Sequence, residues 1–373
     1  MKRHKIKQRK DFVGKLEKIG FGFHTTDVPY WDETAYYSIT MAEADEIHKA
    51  TTDLWSMCLE AVQHVIDNKL YDKFGIPSFI RQHIEDSWEN DVPSIYGRFD
   101  FVKKDGKLKM LEFNADTPSS LFECGVVQWE WLNDIAKDKD QFNSIHERLI
   151  DYWSILKPYL NEGILHFTCT KNSLEDLTTV EYMRDTAIQA GIETKLIYID
   201  DIGWNGDDFT DLEENPITNI FKLYPWEWIV NEDFGKNIIK TNTLWIEPSW
   251  KMILSNKAIL PILWELFPNN EYLLEAYFEK GNMVDYVKKP ILSREGANVE
   301  IYENDVLTES SEGEYGEEGF IYQELCKLPE YDGNKVLIGS WVIGQESVGI
   351  GFRESSDFIT TDKSRFIPHL IEG

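Results

Sequence analysis

Two strand-like segments with a turn sequence between them constrain the fold of this chain more than any other feature. Residues 95–102 read Ile-Tyr-Gly-Arg-Phe-Asp-Phe-Val, and residues 108–113 read Leu-Lys-Met-Leu-Glu-Phe. The intervening Lys-Lys-Asp-Gly-Lys has the composition of a tight turn. The pattern predicts an antiparallel hairpin.

Four polar residues interrupt this apolar hairpin. Arg98 and Asp100 belong to the first strand, and Glu112 and Asn114 to the end of the second. Because side chains alternate between the two faces of a strand, each pair shares a face. The type of turn then decides whether all four side chains lie together.

Two turns are compatible with the sequence. A two-residue Asp-Gly turn would place Glu112 opposite Phe99 and would separate the carboxylates. A three-residue loop at residues 104–106 would place Arg98 opposite Glu112, with Asp100 on the diagonal. We predict the three-residue loop, because burial of an apolar face determines strand register.

That register also makes a prediction for the opposite face, where Phe99, Phe101, Leu111 and Phe113 would lie together against a core. On the polar face, two carboxylates and an amide oxygen are ligands that suit Mg²⁺. The alternative is an exposed polar face stabilised by an Arg–Glu pair, and the pattern alone leaves both interpretations open.

A hydroxyl-rich segment, Asn-Ala-Asp-Thr-Pro-Ser-Ser at residues 114–120, follows the hairpin and leads into an apolar helix. Ser119 or Ser120 could cap that helix. Alternatively, hydroxyl groups and free amides at a helix start can bind an anion. Spacing does not separate these two roles.

Lysines flank a third informative region. Lys257 precedes an apolar helix, Lys288 and Lys289 precede a proline, and residues 293–298 read Ser-Arg-Glu-Gly-Ala-Asn, as in a loop that covers phosphates. The segment lacks the Walker A pattern, and the chain lacks the Gly-x-Gly-x-x-Gly pattern of dinucleotide sites. Taken singly, these lysines could equally be solvated surface charges.

Charge and composition exclude several classes of protein. The net charge of −28 argues against nucleic-acid binding through a broad basic face. The basic first ten residues lack the apolar core of a secretory signal and are expected to form the solvated start of a helix. No apolar run reaches the roughly 18 residues of a membrane span. The four cysteines are widely spaced, which predicts reduced, buried thiols and a cytoplasmic protein with no membrane partner.

The order of the remaining elements favours an α/β fold. Residues 42–70 have the apolar spacing of a long amphipathic helix. Further along, a buried strand at 163–170, a helix at 175–190 and a strand at 194–199 suggest an α/β layer. We therefore expect an α/β protein with α+β lobes.

Read together, these segments resemble the synthetase portion of the glutathionylspermidine synthetase family, whose members are similar to ATP-grasp ligases. The resemblance runs in one order through nearly the whole chain. It is carried by the motifs Tyr-Gly-Arg-Phe-Asp at 96–100, Leu-Glu-Phe-Asn-Ala-Asp-Thr-Pro at 111–118, Glu-Pro-Ser-Trp at 247–250, Asn-Lys-Ala-Ile-Leu-Pro at 256–261, Ile-Tyr-Gln-Glu-Leu at 321–325 and Gly-Phe-Arg at 351–353.

The resemblance implies a fold, an activity and a set of site residues. It implies an ATP-grasp-like ligase that uses ATP and Mg²⁺ to join a small carboxylic acid to an amine through an acyl phosphate. Its implied roles are a magnesium site of Asp100, Glu112 and Asn114; a nucleotide site of Lys257, Lys289, Arg294, Gly296, Asn298, Gln323, Glu324 and Leu325; a catalytic Arg98 at the transferring phosphoryl group; and substrate contacts from Arg98, Thr117, Ser119, Glu175, Asp176 and Arg353.

The resemblance also bears on domains and substrates. It implies a single catalytic domain over residues 1–373, without the amidase domain that some members carry. Leu223 and Trp228 stand where members with established glutathione chemistry have hydroxyl residues, and Arg365 aligns with an acidic residue associated with the polyamine. These differences predict that glutathione and spermidine are not the natural pair.

Other functions share part of this pattern. The chain could be a true glutathionylspermidine synthetase, an ATP-grasp ligase for a peptide or cell-wall component, or a nucleotide-binding regulatory protein without turnover. The complete set of Arg98, Asp100, Glu112 and Asn114 argues against loss of catalysis. A magnesium-dependent hydrolase would use the carboxylates but not the lysines, and ADP formation separates these alternatives.

Overall fold

The computed structural model describes residues 1–25, 28–361 and 363–372. Within these residues the chain forms five β-sheets and nine α-helices. The strands are β1 Lys2–Lys5, β2 Ala35–Thr40, β3 Tyr96–Lys104, β4 Lys107–Asn114, β5 Leu165–Cys169, β6 Thr194–Tyr198, β7 Gly203–Trp204, β8 Phe209–Thr210, β9 Asn219–Lys222, β10 Leu244–Ile246, β11 Ala276–Tyr277, β12 Tyr286–Pro290, β13 Glu300–Glu303, β14 Val306–Ser310, β15 Phe320–Glu324, β16 Glu330–Tyr331, β17 Asn334–Ile343, β18 Glu346–Ser355, β19 Arg365–Ile367 and β20 His369–Glu372.

The helices vary from one to more than seven turns. They are α1 Phe12–Lys18, α2 Met41–Asp67, α3 Arg81–Glu89, α4 Gln128–Ile135, α5 Ile145–Leu156, α6 Leu174–Gln189, α7 Trp226–Ile229, α8 Lys251–Leu254 and α9 Ile259–Leu266. A π-helical turn, Glu123–Val127, leads directly into α4.

Helix α2 confirms the predicted long amphipathic helix. Its start is a capping box in which the Thr40 hydroxyl accepts from the Glu43 backbone N–H, while the Glu43 carboxylate accepts from the Thr40 backbone N–H. Its apolar stripe, which includes Leu54, Cys58 and Val62, is buried against the largest core cluster. The helix packs across β17 and β18.

The hairpin belongs to an antiparallel sheet at the centre of the molecule. Strand order is β19-β18-β17-β3-β4, with β16 added to β17. Strand β17 pairs with β3 so that Gly339 lies opposite Asp100 and Trp341 opposite Arg98. Thus the polar residues of the hairpin lie on a sheet that is buried over most of its length.

Two other sheets flank the site. The parallel sheet β10-β9-β5-β6 carries α6 after β5, as the strand–helix–strand pattern predicted. The antiparallel sheet β11-β15-β12-β13-β14 carries Lys289 on β12 and Gln323 on β15. These sheets with the helices confirm the predicted α/β class with α+β lobes.

The expectation for the first ten residues is wrong. They do not begin a solvated helix, because Lys2–Lys5 forms β1, which pairs antiparallel with β2. Arg3 Nε donates to Glu354 Oε1 at 2.6 Å, and Arg9 Nη2 donates to Glu33 Oε2 at 2.9 Å. Both carboxylates are buried, and buried charges require such partners.

Candidate functional site: two adjoining cavities

The turn of the hairpin differs from the predicted one. Asp105 and Gly106 form a two-residue turn, each with positive φ (50° and 80°), so the preference for a three-residue loop was wrong. An irregularity between Phe101 and Asp100 then shifts the register by one residue, because Leu111 is an extra residue on β4. As a result Asp100 pairs directly with Glu112, and Arg98 with Asn114.

Because of this bulge, the phenylalanines lie on the core face of the hairpin and the four polar residues lie on the opposite face. Phe99 and Phe113 stack with ring centroids 3.9 Å apart, and Phe101 is buried beside them in the main core. Met110 joins this core, whereas Leu111 packs in a separate cluster on the polar side. The prediction that Leu111 shares the phenylalanine face is therefore wrong, but the four polar residues do share one face.

The four polar side chains form one hydrogen-bonded cluster. Arg98 Nε and Nη2 donate to the two oxygens of Asp100 at 2.7 and 3.0 Å, and its Nη1 donates to the Ser119 carbonyl at 2.6 Å. Asn114 Nδ2 donates to Asp100 at 3.1 Å and to Glu112 at 3.5 Å. Burial opposes the charge on Arg98, but the Asp100 carboxylate raises its pKa, so the guanidinium stays charged.

The predicted lysines meet this cluster in the first cavity, which has a volume of about 90 Å³. Lys257 Nζ lies 3.2 Å from Glu112 Oε2 and donates to the Ser293 carbonyl at 2.8 Å. Lys289 Nζ donates to Gln323 Oε1 at 2.7 Å and to the Leu111 carbonyl at 3.0 Å. The extra residue of the bulge thus supplies a contact for Lys289.

The lysines and Glu112 alter each other's proton affinity. Burial lowers the pKa of Lys289 to about 8, and the neighbouring Lys257 charge acts in the same direction. Burial would raise the pKa of Glu112, but the charges of Lys257 and Lys289 outweigh it and hold the pKa well below its usual range. Glu112 is therefore an anion at neutral pH.

The walls of the first cavity are apolar, a feature that the sequence reasoning missed. Apolar residues from three strands and three loops line it: Val287, Val299, Ile301, Leu325, Leu328, Leu337, Phe358 and Ile359. Strand alternation predicts that such residues share faces, but it does not indicate which faces meet across separate sheets.

Gln323, Glu324 and Leu325 also line the first cavity, as the predicted nucleotide site requires. The Gln323 side chain is occupied by Lys289, and Glu324 forms an ion pair with Lys104 at 2.9 Å. The backbone N–H groups of Glu324 and Leu325 donate to other carbonyls of the protein. They are therefore already hydrogen-bonded within the chain.

The loop predicted to cover phosphates divides between the two cavities. Gly296 lines both, and its positive φ of 70° and the Thr360 carbonyl, 2.6 Å from where a Cβ would lie, favour glycine there. Arg294 lines only the second cavity. Asn298 lines neither, and its amide donates to the Tyr315 carbonyl.

The second cavity has a volume of about 490 Å³ and shares Glu112, Gly296 and Thr360 with the first. All six residues predicted to contact substrate line it: Arg98, Thr117, Ser119, Glu175, Asp176 and Arg353. Arg294 Nη1 donates to Thr117 Oγ1 at 2.7 Å, and its Nη2 donates to Glu227 at 2.7 Å. The loop arginine thus contacts a predicted acid-binding residue.

The acidic wall of the second cavity lies in the first turn of α6, where the Ser173 hydroxyl accepts from the Asp176 backbone N–H. Burial, together with the nearby Glu123 and Asp176 carboxylates, raises the pKa of Glu175 to about 8. Burial likewise raises the pKa of Asp176. This wall is therefore less negative at neutral pH than its composition suggests.

Behind the cavities lie buried polar contacts that sequence reasoning did not find. Lys222 Nζ donates to Asp116 Oδ1 at 2.5 Å, and both side chains are fully buried. Asp116 Oδ2 accepts from the Trp226 backbone N–H at 2.9 Å. The pair joins the loop after the hairpin to the parallel sheet. The two residues are too far apart in the sequence for a local pattern to predict their contact.

Ser119 and Ser120 do not cap the following helix through their side chains. The Ser120 hydroxyl shares a hydrogen bond with the Tyr30 hydroxyl at 3.0 Å, and the residue has a positive φ of 70°. Tyr30 also donates to the buried carboxylate of Glu123 at 2.5 Å. Of the two roles left open, side-chain capping is therefore excluded.

One predicted specificity residue lies elsewhere. Leu223 and Trp228 line the second cavity, but Arg365 does not. The Arg365 guanidinium donates to Asp32 at 2.7 Å and to the buried Glu354 at 3.1 Å. These carboxylates need a cationic partner because they are withdrawn from water. Lys363, two residues before Arg365, does line the second cavity.

Three general findings concern metal ligands, membrane helices and cysteines. Within residues 1–25, 28–361 and 363–372, no three His, Cys, Asp or Glu side chains cluster as a metal site; the predicted magnesium set has two carboxylates and an amide. In the same residues, no helix has the length and apolar character needed to cross a membrane. All four cysteines are free and buried, as predicted.

Comparison with known proteins identifies relatives of this chain. The family model described as "Glutathionylspermidine synthase preATP-grasp" matches residues 3–372. A protein of Haemophilus influenzae named "Putative acid–amine ligase" is 41% identical over 380 residues, covering 97% of each chain. Trypanothione synthetase of Crithidia fasciculata is 31% identical over 351 residues, covering 84% of this chain and 53% of that protein.

A solved structure supports the fold. The glutathione synthetase-like effector of Globodera pallida superposes with a TM-score of 0.56 at 10% identity, covering 90% of this chain and 89% of that one. At this identity the likeness concerns the fold alone. On the sequence matches, the chain belongs to the glutathionylspermidine synthase preATP-grasp family, a family of acid–amine ligases.

Proposed function

We propose that this chain is an ATP-dependent ligase that activates a carboxylic acid as an acyl phosphate and transfers the acyl group to an amine. The observation that carries the proposal is the meeting of two different cavities at Glu112 and Gly296. One is apolar with buried lysines, and the other is polar with arginines, hydroxyls and carboxylates. A reaction between a nucleotide and a second substrate needs such a junction.

The first cavity suits ATP. Its apolar walls would take the adenine beside the Gln323–Leu325 segment, while Lys257 and Lys289 would bind phosphate oxygens. Within the protein, the Lys257 ammonium group forms an ion pair with Glu112, and the Lys289 ammonium group donates to Gln323. Phosphate would compete for these contacts.

The donor set at the junction fits Mg²⁺, since Asp100 and Glu112 face each other directly and Asn114 reaches both carboxylates. Rotating the Asn114 amide by half a turn would present its oxygen to a cation. Bound there, the ion would neutralise charge on the transferring phosphoryl group. Arg98, fixed by Asp100 and by the Ser119 carbonyl, would add a fixed positive charge beside it.

The second cavity would hold the acid and the amine. Arg353, Ser119 and Thr117 would bind the carboxylic acid, with Arg294 acting through Thr117. Glu175 and Asp176 would bind the amine as a cation. The amine must lose a proton before attack, and the ionised form of Glu175, whose pKa is about 8, would accept that proton.

The residues of the second cavity disfavour glutathione and spermidine as the natural pair. Leu223 and Trp228 provide no hydroxyl partner for a peptide backbone. Lys363 adds a positive charge to the cavity and would repel a polycationic amine. We propose an acid with a less basic or an acidic amine as substrates.

The test is ADP release from ATP and Mg²⁺ with a panel of acids and amines, with products identified by mass spectrometry. We expect release to require one acid and one amine together, and not glutathione with spermidine. Lys363→Glu is expected to increase the use of polycationic amines, with Lys335→Glu, outside the cavity, as the matched control. Efficient formation of glutathionylspermidine would reject the substrate proposal, and no ADP with any pair would reject the ligase.

A further inference from the structure

A third cavity lies apart from the site described above. This aromatic groove has a volume of about 570 Å³, and among the described residues none lines both the groove and either of the two cavities. Five aromatic side chains from three helices and two loops line it: Trp55, Trp88, Tyr152, Tyr159 and Trp250. Its size is within the range of small-molecule sites.

Two of the three indole rings of the groove are held in place by hydrogen bonds. Trp88 Nε1 donates to Gln63 Oε1 at 2.7 Å, and Trp250 Nε1 donates to the Val92 carbonyl at 3.0 Å. The two rings meet edge to face with centroids 5.2 Å apart. Their polar edges are satisfied within the protein, and Trp88, the more exposed of the two, offers preorganised ring surface to a ligand.

Two rings of the groove, Trp55 and Trp250, already contact an ammonium group. Lys251 Nζ lies 5.5 Å from the centroid of Trp55 and 5.8 Å from that of Trp250. Aromatic faces attract cations through the ring quadrupole. At the open end of the groove, Tyr159 is 62% exposed, so its ring is available to a further cation.

The groove also carries a net negative charge, which would attract a cation. Asp91, Asp151 and Glu346 line it, and Arg148 is the one lining Lys or Arg among the described residues. Arg148 is ion-paired with Glu346. Asp91 and Asp151 form no ion pair with another described residue, which leaves a net negative charge beside the rings.

We propose that the aromatic groove binds an organic ammonium ion, with its alkylated nitrogen against the rings of Trp88 and Tyr159 and its charge near Asp91 and Asp151. A neutral ligand would gain the apolar contacts but would not use the two carboxylates. An anion would be repelled by them. The groove is a binding site separate from both cavities of the proposed ligase.

The probe for the test is choline, whose quaternary nitrogen cannot be acylated, compared with its neutral isostere that carries a tert-butyl group. Dissociation constants are measured on the full chain by NMR titration. We expect the isostere to bind at least about fivefold more weakly, and Tyr159→Ala and Asp151→Asn each to weaken choline binding about two- to fivefold. Both substituted residues are exposed, so the fold should persist.

The control is Glu175→Gln, which alters the second cavity and should leave choline affinity unchanged. Loss of binding in that variant, equal affinity for the isostere, or no binding of choline would each overturn the proposal. A second copy of the chain is the other possible occupant. A concentration-dependent dimer that dissociates in Tyr159→Asp, measured by sedimentation velocity, would also overturn it.

Discussion

Lys257 Nζ lies 3.2 Å from Glu112 Oε2 at the point where the two cavities meet. The contact joins a loop before α9 to the end of the hairpin, and it links a residue that we assign to ATP phosphate with one that we assign to magnesium. Substitutions on either side of this junction should therefore separate nucleotide binding from turnover.

Lys289→Ala is expected to weaken ATP binding about tenfold to a hundredfold, because a charge-assisted hydrogen bond contributes about 1.5–3 kcal/mol. Calorimetry with a non-hydrolysable ATP analogue measures the change. The matched control is the adjacent Lys288→Ala, since Lys288 pairs with Glu300 and does not line the cavity. Unchanged affinity in Lys289→Ala would remove this residue from the nucleotide site.

Glu112→Gln is expected to abolish ADP release while the protein remains folded. The substitution removes a charged oxygen ligand from the proposed magnesium set, whereas Glu112 is only partly buried and is not needed by the core. Glu324→Gln is the control, because its carboxylate also lines the first cavity but is held by Lys104. Wild-type turnover in Glu112→Gln would make the hairpin cluster structural only.

Glu175→Gln is expected to stabilise the protein more at high pH than at low pH. The folded-state pKa of about 8 lies above the usual value, so the protonated form is favoured on folding, and stability falls as pH rises from about 4.5 to 8. The glutamine imitates the protonated form. The gain should be near zero at pH 4 and on the order of 1 kcal/mol at pH 9.

Thermal unfolding of the wild type and the variant over this pH range measures the effect. Glu181→Gln on the same helix is the control, since Glu181 is half-exposed and pairs with Arg184. A stability difference that does not change with pH would show that Glu175 is ionised like a surface glutamate.

Lys222→Met is expected to destabilise the fold by about 3–5 kcal/mol, because it leaves the buried Asp116 charge without its partner. Lys171→Met, which breaks the exposed pair with Asp201, should leave stability almost unchanged. Urea denaturation measures both. A loss below about 1 kcal/mol in Lys222→Met would show that the fold does not depend on this buried ion pair.

Local patterns predicted the elements that depend on neighbouring residues. The apolar stripe of α2, the β5–α6–β6 order and the presence of the hairpin all follow from side-chain spacing within one segment. The motifs also identified residues that converge on two adjoining cavities, with Asn298 as the exception.

Tertiary structure alone decided the register of the hairpin. The two-residue turn without a bulge would have placed Glu112 opposite Phe99. Burial of the phenylalanines instead leaves Leu111 as an extra residue whose side chain lies on the other face. Packing of the phenylalanines in the core under the sheet stabilises this register, and no residue within the turn predicts it.

The sequence by itself determined which residue types were available at each strand and helix, since periodicity and turn chemistry act over a few residues. Tertiary structure decided which of them meet. Lys257 and Glu112, Lys222 and Asp116, and Arg365 and Asp32 are each far apart in the chain. Their pairing depends on how three sheets pack, because a buried charge takes whichever opposite charge that packing brings within reach.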